Sequence, residues 1–333
     1  MLSQRTSLST TRSIWRTLSL ATGLVATGTV AAMSLWMPSA KADPFRPNAS
    51  RITDPQVEQA FNAMFQQSQY NQSNALLNSA SANEPLTHAM QASFAYWDED
   101  WGTLASEAEQ TLAAAQSLVD SGQDPLRGHL YLAVGHFMEG AHAFLTQGTV
   151  QATPIVLSKV RQVFDNLDKA QEIDPNDPEV NLVKGYMDLM LAVNLPFSSP
   201  EAAIARFQSQ AGPDYLVNRG LAIAYRDLRQ VGNALTAVNQ ALEVTPDNPD
   251  LLYLKAQILR LQADDNSGDE RTSTLRESVS LFNQALGNAD QYPRDLSEAI
   301  AYEMCRTQDE MNDRNRNCDR IANDRVDAEL AAN

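Results

Sequence analysis

Tyr96-Trp97-Asp98-Glu99-Asp100-Trp101 is the stretch of this 333-residue sequence whose side chains come nearest to chemistry. Carboxylates set between aromatics match sugar-binding and glycosidase sites, where ring faces stack on the sugar and the acids move protons. The same residues also spell a corner between two helices, with Asp98 or Asp100 capping the second helix and the aromatics packed inward. Carboxylates adjacent in sequence point apart, unlike a catalytic pair. The corner is therefore the expected reading, and a glycan-acting enzyme is the alternative.

Other candidates fail on spacing. His129 and His136 are seven apart, hence on one side of a helix, with His142 turned away. Two helical turns separate the imidazoles by about 10 Å, too far to share an ion bound at about 2.1 Å. The acidic run from Asp264 to Glu270 suggests calcium, but with Gly268 as the invariant glycine the first and last ligand positions fall on Ala263 and Thr274. Asp313, Asn315 and Asn317 have ligand-like spacing too, yet Cys318 stands at the glycine position and a turn is the simpler reading. G-x-S-x-G, P-loop, G-x-G-x-x-G and H-E-x-x-H motifs are all absent from the sequence. No catalytic group, metal or cofactor is expected.

Arg5, Arg12 and Arg16 precede an apolar run from Leu18 to Trp36, and Ala40-Lys41-Ala42 then forms an A-x-A site before Asp43. That order reads residues 1–42 as a secretory signal peptide, with an uncleaved membrane anchor as the alternative. The leader carries four basic and no acidic residues, so the remainder holds 41 acidic against 21 basic side chains. A surface this acidic repels phosphate backbones and anionic headgroups, which argues against nucleic acid and membrane surfaces as partners. An exported protein is expected, in the periplasm or outside the cell.

In an oxidising compartment Cys305 and Cys318 are expected to pair, two free thiols being the alternative. Thirteen residues of one helix would hold them about 20 Å apart, whereas a disulfide needs Cα atoms within about 7 Å. The intervening Asn312-Asp313-Arg314-Asn315-Arg316-Asn317 is turn chemistry, which returns a second helix toward the first.

The elements that would position these residues are helices almost throughout. Alternating strand patterns are missing, and Ala, Leu, Gln and Glu dominate. Periodicity and proline positions predict helices over 54–67, 85–97, 101–119, 125–147, 154–173, 178–194, 200–210, 214–229, 231–244, 249–262, 272–287, 293–310 and 317–330. Residues 43–53 are expected to be a flexible lead-in, and the polar stretch 68–83 a loop or weak helix.

Repetition runs through the second half. Between Tyr215 and Asn248, the residues Leu221, Ala222, Tyr225, Ala234, Val238, Ala241 and Pro246 follow the pattern L-G-x2-Y…A-x3-F…A-x4-P. Val163, Leu167, Ala170 and Pro175 repeat its second half. Gly185, Ala203 and Phe207, and then Ala256, Phe282 and Ala285, keep parts of it.

On these residues the chain, from about 154 to 290, resembles the tetratricopeptide-repeat superfamily. The whole is also similar to secreted tetratricopeptide proteins of cyanobacteria, for which the thylakoid lumen would be a further location. The resemblance implies an all-α, right-handed α-solenoid of antiparallel helix pairs: a helical N-terminal part (54–153), repeats (154–292) and a capping helix pair (293–333). It also implies a concave groove that binds a protein or peptide segment. Its lining would be Leu182, Tyr186 and Leu189, then Arg219, Ile223 and Arg226, then Tyr253, Gln257 and Arg260, with the three arginines forming a basic spot. The family's carboxylate clamp is not matched, since Leu182, Tyr186, Gly220, Asp250 and Leu254 stand at its positions. The expected function is an exported scaffold that assists an envelope complex. A purely structural subunit is a further alternative.

Overall fold

The computed structural model describes residues 43–46, 50–52, 54–194 and 200–332, so the leader assigned to residues 1–42 lies outside it. The helices are Pro55–Phe65 (α1), Tyr70–Leu77 (α2), Pro85–Trp97 (α3), Trp101–Asp120 (α4), Pro125–Ile173 (α5), Pro178–Asn194 (α6), Pro200–Phe207 (α7), Asp214–Asp227 (α8), Val231–Val244 (α9), Pro249–Ala263 (α10), Gly268–Ala285 (α11), Arg294–Met311 (α12) and Cys318–Ala332 (α13). A 3₁₀ turn, Leu286–Gln291, follows α11. No strand occurs among the described residues, and the chain is all-α.

Local chemistry accounts for the helix starts. Glu84, Asp124 and Asn248 each accept from a backbone N–H of the next turn, and a proline follows each of them. The proline supplies a helical φ where no N–H is needed, and the side-chain oxygen satisfies an orphan donor. Asp177 does the same for α6, accepting from Val180 N at 3.0 Å.

The polar stretch 68–83, expected to be a loop or weak helix, contains the short helix α2, where Tyr70 and Leu77, seven apart, are both buried and the Ser73 hydroxyl donates to the Ala60 carbonyl at 2.9 Å. Other expectations differ from the structure. The gap expected at 148–153 contracts to Gly148, which alone leaves helical geometry within α5 with φ 76° and ψ 167°. Helix α11 begins four residues early, with Asp269 and Glu270 in its first turn, where the helix dipole favours acids. Of the described residues of the lead-in, Asp43, Phe45, Arg46 and Ile52 are buried, and the Phe45 ring meets Phe61 edge-on at 4.9 Å.

The described residues form two compact units, one from 43–62 and 72–181, the other from Ala63–Asn71 and 182–332. The division falls at 181/182, inside α6. In the first unit α3, α4 and α5 pack in succession around Ala92, Ala95, Leu104, Ala108 and Met138. Gly128 and Gly135 let α5 approach α4, since a Cβ there would come within 2.6 Å of Val119 and Leu112.

In the second unit α8 through α13 each pack on the next, and α8 also touches α10. Ala222, Ala234, Val238 and Ala241, four of the repeat-pattern residues, are fully buried. Phe207 wedges between two helices at their glycines, its ring 2.7 Å from a Cβ built on Gly185 and 2.5 Å from one built on Gly220. Cys305 of α12 and Cys318 of α13 form the expected disulfide, with Cα atoms 5.6 Å apart.

Candidate functional site

Helices α8, α10 and α12 bring Arg226, Gln257, Arg260, Leu261, Asp264, Glu303 and Glu310 around an open cleft of about 350 Å³. Arg226 lies in the last turn of α8, and Gln257 and Arg260 lie one turn apart on α10. Glu303 and Glu310 are seven apart on α12, so both carboxylates face the same way.

The cleft is laced by a ladder of hydrogen bonds. Arg226 donates from Nη1 to Gln257 Oε1 at 2.7 Å and from Nε to Asp227 Oδ1 at 2.9 Å. Gln257 Nε2 donates to Glu303 Oε1 at 3.3 Å. Arg260 reaches both acids of α12, Glu303 at 3.2 Å and Glu310 at 3.0 Å. Arg271 of α11 pairs with Glu310 as well. Each ion pair is partly exposed, with 31 % of the Arg260 side chain and 30 % of the Glu303 side chain open to solvent. Pairs this wet are worth little to the fold and are open to exchange with an incoming charge. The cleft's lining is arginine, glutamine, leucine and carboxylates.

Of the nine residues expected to line a groove, only Arg226, Gln257 and Arg260 come together at this surface. Leu182, Leu189, Arg219, Ile223 and Tyr253 are buried, and Tyr186 is half-buried with its ring edge-on to Phe207 at 5.1 Å. Tyr253 meets the ring of Phe282, with centroids 5.8 Å apart. A basic spot was expected from Arg219, Arg226 and Arg260. Arg219 is enclosed, and the other two are matched by Asp227, Glu303 and Glu310.

The remaining candidates resolve into local structure. Asp100 caps α4, accepting from Thr103 N at 3.0 Å and from the Thr103 hydroxyl at 2.6 Å. Those two bonds hold its carboxyl below the usual range. Glu99 takes the left-handed turn conformation, with φ 53°, and Tyr96 packs edge-on to Trp97 and Trp101. His129 Nδ1 faces Asn166 at 3.1 Å, and His136 Nδ1 faces Glu139 at 2.8 Å, each held by its own neighbour. Asp309 lies beside the disulfide, its carboxyl held low first by the Arg316 backbone N–H and then by the Arg316 guanidinium.

One polar cluster escaped the sequence reading. In the first unit Glu179 accepts from Tyr131 Oη at 2.6 Å and Arg127 Nε at 3.2 Å, and Arg46 Nη2 lies 2.8 Å away. Arg127 also grips Glu84 with both Nη atoms, and Arg46 grips Asp177 with Nε and Nη2. Burial alone would push the Glu179 carboxyl up, but the charges of Arg127 and Arg46 outweigh it and hold it down. The available signal was three acid–proline helix starts, Glu84-Pro85, Asp124-Pro125 and Asp177-Pro178, whose acids share a need for cations.

No protein-family model, no curated protein and no solved structure matches this chain.

Proposed function

We propose that this chain is an exported, tetratricopeptide-like scaffold whose helix pairs stack as a right-handed α-solenoid and bind a protein segment to assist an envelope complex. The observation that supports the reading best is the meeting of Arg226, Gln257 and Arg260 in one open cleft. Arg226 lies on the inner helix of one repeat, and Gln257 and Arg260 lie on that of the next. The burial of the small repeat-pattern residues and the successive packing of α8 to α13 agree with such stacking. A carboxylate on the partner would replace Glu303 or Glu310 on Arg260, since the planar guanidinium fork suits bidentate exchange.

Capture of partners from the native envelope tests this reading. Arg226→Ala combined with Arg260→Ala should abolish capture while helicity is kept, and added salt should weaken capture by the wild type. Recovery of the same proteins at the same salt tolerance by the double variant would sink the cleft reading. The intact mass of the native protein tests export separately and should place Asp43 at its N-terminus. A second reading, a structural subunit with no separate ligand, draws on the pairing of the cleft arginines with acids of the chain itself.

A further inference from the structure

We propose that Cys305, Asp309 and Cys318, in the dithiol state of the chain, form a binding site for Zn²⁺ that closure of the disulfide abolishes. The site lies apart from the cleft and does not depend on the scaffold reading.

Three donors converge where α12 meets α13. Cys305 and Asp309 stand four apart on α12, so one helical face carries both, and Cys318 opens α13. All three residues are buried. Their ligand atoms, two sulfurs and a carboxylate oxygen, lie within 4.8 Å of one another. Asp309 Oδ2 is 3.9 Å from the Cys318 sulfur. A tetrahedral zinc ion, bound at about 2.3 Å to sulfur and about 2.0 Å to oxygen, sets such a pair about 3.5 Å apart. Side-chain rotation can supply the difference. The donor types choose the metal as well. Thiolates favour zinc over calcium and magnesium, which take oxygen ligands, and three protein ligands leave zinc a fourth position for water.

Charge points the same way. Two thiolates and one carboxylate carry three negative charges, and a divalent ion leaves one of them uncompensated. Arg316 supplies the missing positive charge. Its Nε donates to Asp309 Oδ1, and its backbone N–H donates to Oδ2. A carboxylate oxygen has two lone pairs, so Oδ2 keeps one for the ion. Arg316 Nη2 also donates to Gln308 Oε1 at 3.2 Å and to the Cys305 carbonyl at 3.4 Å, which fixes the guanidinium beside both α12 donors. Outer hydrogen bonds of this kind orient the ligands of a metal site and tune its affinity. The exchange between the two states balances. A dithiol reductant passes two electrons and two protons to the disulfide and closes to its own disulfide, leaving Cys305 and Cys318 as thiols. Zinc then displaces one proton from each thiol as it binds. The same exchange run backwards, with an external disulfide as oxidant, removes both thiolates and releases the ion.

The test uses the full chain, reduced with a phosphine, freed of it without oxygen and titrated with Co²⁺ as a coloured stand-in for zinc. One ion per chain should bind, with a thiolate-to-cobalt charge-transfer band that added Zn²⁺ bleaches. The unreduced chain should show no such band. Asp309→Asn keeps an acceptor oxygen for Arg316 but loses the charge, and it should weaken Co²⁺ binding at least about tenfold. Arg316→Met removes the outer cation and should weaken it about tenfold. A reduced wild type without the charge-transfer band overturns the proposal, and so does an Asp309→Asn variant that binds as tightly as the wild type. The second outcome also exposes a reduced chain whose last two helices have opened, because two loose thiolates gather cobalt without regard to Asp309. Should reduction lower the helical signal, its recovery with one equivalent of Zn²⁺ in the wild type but not in Asp309→Asn supports the site. Recovery in neither, or equally in both, overturns it.

Discussion

Replacing Glu179 by Gln should destabilise the first unit by about 3–5 kcal/mol, the range for removing one member of a buried ion pair. The structure shows why the effect is large. One carboxylate serves Tyr131, Arg127 and Arg46 at 2.6, 3.2 and 2.8 Å, and its side chain is 1 % exposed. Arg127 keeps Glu84 and Arg46 keeps Asp177, but both guanidiniums would lose a charge that faces no water. Tyr131→Phe removes a single hydrogen bond to that charge and should lose only about 1.5–3 kcal/mol. Urea unfolding followed by far-ultraviolet circular dichroism measures both, and the melting point should fall on the order of 10 °C for Glu179→Gln. The pH dependence has a definite sign. The folded carboxyl is held below its ordinary value of 4.5, so its stabilisation is full above that value. It is lost as the pH falls through the depressed folded value, and the gap between variant and wild type should narrow there. A loss under about 1 kcal/mol, or a gap that widens in acid, would refute the argument that these charges hold the lead-in to the helices.

Two further outcomes test the second unit. Gly220→Ala should destabilise by about 1–3 kcal/mol, because its Cβ would meet the Phe207 ring at 2.5 Å, and thermal melting reads the change. Gly232→Ala in α9, where a Cβ meets nothing within 4 Å, should be neutral or stabilising by up to about 1 kcal/mol, and equal effects at the two sites would undo the packing argument. Replacing Cys305 and Cys318 by Ser opens a loop of 13 residues and should lose about 3 kcal/mol, and peptide mapping of unreduced wild-type protein should find the pair linked.

Much of this architecture was legible in the residues themselves. Helix bounds such as 231–244 and 178–194 follow from apolar periodicity and from prolines at helix starts, which are local effects. The Asp100 cap and the Cys305–Cys318 bond were legible for the same reason, since each joins residues a few turns apart through one corner. The resemblance to tetratricopeptide repeats also named Arg226, Gln257 and Arg260, three of the residues that line the cleft.

What tertiary structure alone decided was which of those faces stay open. Periodicity separates an apolar face from a polar one, but it is silent on what covers either. Arg219 and Arg226 are arginines of α8 seven residues apart, yet Arg219 is buried and Arg226 reaches a cleft. The partners of Arg260, Glu303 and Glu310, lie 43 and 50 residues away and have no fixed spacing to it. The lead-in shows the same limit. Arg46 looked like one more charge in a polar tail, and only the convergence of Asp177 and Glu179, 131 and 133 residues later, makes it a buried tie. Short-range sequence order encodes helices, caps and small loops through local hydrogen bonds and sterics. The burial of a charge depends on distant groups that must neutralise it together, and that is settled only when the chain is folded.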